Sequence, residues 1–508
     1  MSNNVFSVLS NGASTSGLQQ VGASRSHLAK PVFIHPTVNR SAQVSIVVPN
    51  IRAPSLREFD RIDRTNQLAE STILHNGDVK VTRELSWSLR PVFKVVVEDG
   101  KEIKLDVGDT VVVSKDRVVI ETGNSADSVK VSLSASGGVD VNINGKIFQI
   151  NNNEQDPKVR EILIKTHGGN DSIVIDPAVK ERIRVEAGSG DDYVRAGSGE
   201  TRVLGGSGND CIWLGSGVGY AQGDDGDDTL ISGAGPSALY GNDGNDKIYA
   251  GYCVNSPRTY MDGGRGDDKL YSKTGKTVMH GGQGNDLMVS AGHSHIYTGT
   301  GTDTVETAGA DTIFSQGKNN ITPGTTSKVV EVAESSAGSK AFVIKGSAEF
   351  KRRVQDDIDF LNASPTGQKM LAKMDATANP EIKISELDMD WGYFEALDRS
   401  IGYNPSFNAQ VIGAEPVVVL FHEMAHAYNV STNSTLPGYT RVGNGEPGLE
   451  PNIERQAVGL WTNAEPLDFD NDPSTPSTST NPVEFSENGM RAEIGIPLRK
   501  AYSIKNIA

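Results

Sequence analysis

Residues 188–194 read GSGDDYV, 205–213 GGSGNDCIW, 223–231 GDDGDDTLI, 241–249 GNDGNDKIY, 263–271 GGRGDDKLY, 281–289 GGQGNDLMV and 299–305 GTGTDTV. The last acid of each turn is Asp192, Asp210, Asp228, Asp246, Asp268, Asp286 and Asp303, at intervals of 18, 18, 18, 22, 18 and 17 residues. Self-similarity at a fixed short period is the signature of a solenoid. Glycine lets the backbone turn tightly at positive φ. The short strand after each Asp offers one apolar residue inward: Val194, Ile212, Leu230, Ile248, Leu270, Met288 and Val305. One coil buries little; stacking builds a thin continuous core. The long interval holds Tyr252–Arg258, which reads as a surface insertion.

The motif resembles the RTX nonapeptide G-G-x-G-x-D-x-U-x of calcium-binding parallel β-rolls, over about 120 residues. Only every second turn carries the acid; the alternates read GSGET, GSGVG, GAGPS, TGK and AGHS. In an 18-residue coil equivalent turns stack on one side. The seven aspartates therefore form one row of expected calcium sites, hard and oxygen-liganded, while the opposite face is glycine-turned and metal-free. The plain alternative is a solenoid with Asp and Asn ladders and no bound ion.

Composition bounds the rest. The chain has 508 residues, 55 of them glycine, with 6% aromatics and a formal net charge of -16. That length implies several domains. The acidic balance excludes non-specific binding to nucleic acid or an anionic membrane and suits cations. Two cysteines, Cys211 and Cys253, cannot make a disulfide framework. The longest apolar run, Val417 to Phe421, is far too short to span a membrane. Residues 1–75 read as a disordered N-terminal segment. Its first 30 residues lack the basic and apolar regions of a Sec signal, and their Ser-rich character fits a type III secretion signal. Residues 76–186 read as an irregular β region or β-cap, with strands at Val79–Arg83, Val92–Val97, Thr110–Ser114, Val118–Glu121 and Val129–Leu133 and hairpin cues at Asp99 and Asn144. Thr166–Asp171, THGGND, reads as a degenerate first repeat. The roll follows over 187–335, and a separate catalytic domain over 336–508.

The last domain carries the chemistry. Apolar positions Phe350, Val354, Ile358 and Leu361 have helical spacing, Pro365-Thr366-Gly367 breaks it, and a second helix begins. After a strand-like Glu381–Ser385, EPVVVLFHEMAHAYNV reads as a buried helix with Pro416 in its first turn. His422 and His426, four residues apart, share one helical face and can reach one zinc ion; Glu423 beside them is placed as general base. A third protein ligand is required. Tyr428 onward reads YNVSTNS, so there is no metzincin continuation and a carboxylate is expected. Glu446, Glu450 and Glu454 are the candidates. Glu454 leads because ERQAVGLW is helix-like and rigid; Glu450, before Pro451, reads as a cap or loop acid.

The segment from about Phe342 onward resembles the NleD/HopH-type zinc metallopeptidases, type III effectors, through FVIKG, PTG, HEMAHAYN, ERQAVG and ENGMRAEIGIPLRKAYS. It leaves the roll as an added module. A more distant resemblance is to clostridial neurotoxin light chains. There HExxH is followed by a Glu opening a Glu-x-x-x-apolar-Gly segment, and by a late Arg-x-x-Tyr. Carried over, these are Glu454 and Arg499 with Tyr502, which the resemblance implies as catalytic; on a helical turn the last two would face one side. The Thr/Ser/Pro loop Asp468–Pro482 departs from that class.

The expected architecture is therefore multidomain: an RTX-like parallel β-roll followed by an α+β zincin-like metallopeptidase domain. The expected function is a secreted zinc endopeptidase with a calcium-binding roll, delivered into host cells to cleave a host protein. The resemblance offers mitogen-activated protein kinases as a substrate class. Two rivals stand: a calcium-binding adhesin or interaction protein with a vestigial protease, and a type I-secreted RTX protease. The order of repeats before enzyme disfavours the latter.

Overall fold

A computed structural model describes residues 117–502 apart from 136–137, 151–160, 251–257, 274–275, 388–391, 407–413, 443–447, 470–473 and 475, together with strands at 71–73, 79–84, 92–97 and 110–113. The expected secretion signal, the Asp99 hairpin cue, most of the Tyr252–Arg258 insertion, Cys253 and Glu446 lie outside the described residues. One expectation needs correction. Ser71–Ile73, assigned above to the disordered segment, is a strand paired antiparallel with Val79–Glu84, in keeping with its β-branched Thr72 and Ile73.

Residues 110–332 form two sheets of twelve strands each, and the repeats supply most of them. In one, short strands after each acidic turn stack in parallel, and Val194, Ile212, Leu230, Ile248, Leu270, Met288 and Val305 lie in register with one another. All seven are fully buried. The second sheet supplies the facing wall through Ala221, Leu239, Met261, Met279 and Ile296. Both sheets continue upstream of the motif-bearing turns: Arg117–Glu121 pairs with Glu161–Lys165, and Ser128–Leu133 with Ser172–Ile175, all parallel. The Asn144 cue is a hairpin turn, with Asn144 and Gly145 at φ 50° and 86° joining Val139–Ile143 to Lys146–Ile150.

The C-terminal region is a smaller α+β layer. Its sheet runs in the order Phe342–Lys345, Ile382–Glu386, Ser400–Tyr403, Tyr393–Glu395, the first three parallel and the last an antiparallel edge. Two consecutive helices, Ala348–Ala363 and Pro365–Thr377, meet where Ser364 ends one and caps the next, its hydroxyl accepting from the Gly367 N–H.

The seam between roll and α+β layer is not that of an appended module. Tyr220, Tyr240, Tyr260 and Tyr297 of the roll share one hydrophobic core with Phe350, Val354, Ile358 and Phe360 of the helix Ala348–Ala363, hereafter the docking helix. The Phe360 ring stands 4.8 Å from that of Tyr297 and 5.8 Å from that of Tyr260. The buried Arg353 guanidinium lies 3.6 Å over the Tyr240 ring and donates to Asp357, which also accepts from the Tyr403 hydroxyl. Residues 69–508 are one compact unit. The physical reason lies in the outward columns of the second sheet. Tyr240, Asp262, His280, Tyr297 and Phe314 are in register and buried, where a solvated solenoid face would be polar.

Candidate metal centres

The helix Pro416–Ser431 takes Pro416 at its first position and buries Val417, Val418, Leu420, Phe421 and Met424, which fixes its roll about its own axis. His422 and His426 then project from one side, their Nε2 atoms 3.1 Å apart. The short helix Asn452–Val458, stopped by Gly459 in the left-handed region, brings Glu454 against both: its Oε2 lies 3.4 Å from His422 Nε2 and 3.2 Å from His426 Nε2. These three residues form the one His/Cys/Asp/Glu cluster of metal-binding geometry found among the described residues.

Two ligands about 2.0–2.1 Å from a tetrahedral ion stand roughly 3.3–3.4 Å apart. The observed edges match. The donor chemistry agrees as well. His422 Nδ1 is 2.9 Å from Glu487 Oε2 and donates to it, which leaves the Nε2 lone pair facing the cluster. Two imidazoles and a carboxylate converging this closely could hold one metal ion. Without a metal, a proton on His422 Nε2 takes the place of the cation. Burial opposes charge on His422, but hydrogen bonds to Glu454 and Glu487 outweigh it and push its pKa up to about 10. Burial alone would raise Glu454, yet the two histidines hold it well below the usual carboxylate range. Glu423, on the same helix, is buried, and burial raises its pKa against the pull of both imidazoles.

Glu450 is engaged elsewhere, in a short hydrogen-bonded ion pair with Arg455. Arg499 and Tyr502 do not lie on a helical turn: Gly495 at φ 72° and Pro497 end the helix Glu487–Glu493 before them. Arg499 is nonetheless fixed. One Nη donates to Glu487 at 2.8 Å, the other to the Tyr502 carbonyl at 2.7 Å, and its backbone is tied to Asn488. The Tyr502 phenol is pushed up to about 12 by burial and by the charges of Glu454 and Glu423, which it faces.

Glu487 was not singled out by sequence reasoning. It lies in the quoted ENGMRAEIG segment, but nothing in its spacing marks it. It accepts from His422, Arg491 and Arg499, and these bring its pKa down to about 2 despite burial. Glu487→Gln should lower zinc affinity about 10–100-fold, read by competition with a chromophoric chelator. Unchanged affinity would limit Glu487 to holding the two arginines.

The second centre is the aspartate row. Asp192, Asp210, Asp228, Asp246, Asp268, Asp286 and Asp303 are each at most 2% exposed. Every Oδ1 in the row accepts the backbone N–H of the preceding acid, from 2.6 Å at Asp228 to 3.0 Å at Asp303. Asp171 of the degenerate repeat and Asp127 before it extend the row. The other oxygen, Oδ2, is buried without a hydrogen-bond partner in all nine. At Gly223 an added Cβ would lie 2.0 Å from Asp228 Oδ2 and 2.9 Å from the Gly241 carbonyl; at Gly241 it would lie 2.1 Å from Asp246 Oδ2 and 2.4 Å from the Gly263 carbonyl. Glycine thus lets the carboxylate lie against a carbonyl oxygen of the next coil, two hard oxygens of the kind that calcium takes. Beside it runs an exposed ladder alternating Asp191, Asn209, Asp227, Asn245, Asp267 and Asn285, which satisfies its own backbone N–H groups. A cavity of about 380 Å³ lies elsewhere, in the seam, lined by His280, Gln283 and Asn362. It brings together no comparable donor set.

Residues 339–502 match the Peptidase_M91 family model, described as an effector protein. Residues 185–220, 222–251 and 260–288 match the RTX calcium-binding nonapeptide repeat. No curated protein and no solved structure matches the chain significantly. The Peptidase_M91 match takes in the His422, His426 and Glu454 cluster, Glu487, Arg499 and Tyr502, so the C-terminal region is similar to effector peptidases and follows a region similar to calcium-binding repeats. Such a pairing is consistent with a secreted protein and implies a protein substrate. No described helix is long and apolar enough to cross a membrane.

Proposed function

We propose that the chain is a zinc-dependent endopeptidase of gluzincin type, delivered into host cells, where it cleaves a host protein. The observation that carries this reading is the His422–His426–Glu454 triangle, whose edges suit tetrahedral zinc. Zinc bound there would acidify a water and polarise the scissile carbonyl. Glu423, buried and raised in pKa, accepts the proton of the attacking water and returns it to the leaving amine. The edge strand Tyr393–Glu395 supports a zincin-like arrangement. Gly392, just before it, lies so close to Glu423 that an added Cβ would be 3.2 Å from the Glu423 Cγ. An extended substrate adding to that edge, unpaired among the described residues, would pass the catalytic base. Calcium along the aspartate row completes the cofactor set. The proposed units are a segment 1–75, a β-cap over 76–186, the roll over 187–335 and the peptidase over 336–508. Mitogen-activated protein kinases are the proposed substrate class on resemblance alone. A panel of purified kinases left uncut by active enzyme removes that class.

Tyr502 is the proposed oxyanion donor, with Arg499 fixing its place and that of Glu487. A donor aimed at the developing oxyanion contributes about 3 kcal/mol. Tyr502→Phe should therefore lower kcat on the order of 100-fold with KM and zinc content held. Arg499→Ala should lower kcat and also loosen zinc, because Glu487 loses a partner. Wild-type kcat in both variants returns the segment to a structural role.

A further inference from the structure

We propose that the roll is the calcium-dependent frame of the peptidase site, in which Arg258 and Tyr297 position the two helices that build that site. This rests on the reading of both metal centres given above. The helix carrying His422 and His426 starts after Glu415, which is fully buried and makes no side-chain cap bond to its own helix. Its carboxylate pairs at 2.7 Å with the Nε of Arg258, the residue that leads into the roll strand Thr259–Arg265. The helix carrying Glu487 ends at Glu493. There Oε1 accepts from the Tyr297 hydroxyl of the roll at 3.1 Å and from Ser364 at 2.6 Å, while Oε2 accepts from the Thr366 N–H at 2.8 Å. Just beyond, Gly495 lies flat on the His295 ring; a Cβ would stand 2.2 Å from it.

Both helices are thus pinned at one end to the roll, and they meet where Glu487, at the start of the second, touches His422, in the second turn of the first. A helix of seven residues bonded along its length moves as a rigid lever, so displacing Glu493 displaces Glu487 and with it the His422 ring. The pinning strands, Thr259–Arg265 and Ser294–Tyr297, flank Thr277–Gln283 in one sheet. The turns that follow these three strands carry Asp268, Asp286 and Asp303, each with an unpartnered buried oxygen. With no cation, one oxygen of each is left bare and ionising one carboxyl opposes ionising the next across adjacent coils. With calcium between them the coil spacing is set, and the footing of Arg258, His295 and Tyr297 is set with it. The peptidase centre then responds to an ion that none of its own ligands binds.

The test uses the full-length protein, desalted free of divalent ions and loaded with one equivalent of cobalt(II) as a probe of the His422–His426–Glu454 centre. Calcium is titrated in, with magnesium as control. The expected result is a change in the cobalt visible spectrum at the same calcium midpoint as the far-UV circular dichroism of the roll. Arg258→Met should keep the roll's calcium midpoint within about twofold, yet bind cobalt roughly tenfold more weakly and retain the calcium-free spectrum. Arg258→Lys should restore part of both. A roll that responds to calcium while the wild-type cobalt spectrum does not would overturn the proposal and leave both metal readings standing. A wild-type spectrum and affinity in Arg258→Met would overturn it too. Failure to bind cobalt, or a roll indifferent to calcium, would remove the reading beneath it.

Discussion

Glu423→Gln should keep one zinc per chain and lose on the order of 10²–10⁴-fold in kcat. The substitution removes the proton acceptor and nothing else from the centre. Both imidazoles and Glu454 remain, and Glu487 still orients His422. Glutamine fits the same space and can still hydrogen bond, so the buried site near Gly392 need not rearrange. His426→Ala differs in kind: it should lose metal and activity together, because two ligands cannot close a protein zinc site. Metal analysis alongside turnover separates the two outcomes. A Glu423→Gln enzyme as fast as wild type would mean that another group takes the proton.

Calcium should raise the melting temperature of the roll by more than about 10 °C. Each site saturated a hundredfold adds about 2.7 kcal/mol, and a unit as large as 69–508 gains about 1 °C per kcal/mol, so several sites together exceed that shift. Asp228→Asn makes the sharper test. It keeps an acceptor for the Asp210 N–H and deletes a buried carboxyl whose ionisation burial opposes. Without calcium it should stabilise the roll, on the order of 1–3 kcal/mol near neutral pH; with calcium it should destabilise it. The pH dependence follows from the same groups. Burial raises the row above the ordinary carboxylate range, to about 6 at Asp192, 9 at Asp228 and 10 at Asp268. The folded state therefore binds more protons than the unfolded state. The calcium-free roll should be most stable near and below pH 4 and lose stability as pH rises through 6 to 10. Saturating calcium, which needs ionised carboxylates, should reverse that slope. A calcium-free melting curve that climbs with pH over this range would contradict the ladder as described.

The parts written in short periods were legible in the sequence. The 18-residue interval placed Val194, Ile212 and Leu230 in one column, and the i, i+4 spacing placed His422 and His426 on one face. Pro365 and Pro416 marked helix starts for local steric reasons. What depends on distant chain was not legible. Glu487 lies 65 residues from His422, and no local spacing links the two. The roll read as an added module because its motif describes the acidic turns, not the outward columns of the other sheet. Yet Tyr220, Tyr240, Tyr260 and Tyr297 were visible there as aromatic residues where water-facing strands would be polar. The Arg499–Tyr502 segment misled on local grounds: its spacing suits a helix, while Gly495 and Pro497 forbid one, and the two residues meet through a backbone carbonyl.

Because roll and peptidase share a core, the decisive measurement uses the whole chain. Full-length protein loaded with zinc and calcium is incubated with a host-cell lysate, beside Glu423→Gln prepared identically, and new protein N-termini are mapped by mass spectrometry. The account predicts a small set of new termini in one or a few host proteins with wild type, and none with Glu423→Gln. The same termini produced equally by both proteins, or none by the zinc-loaded wild type, would contradict it.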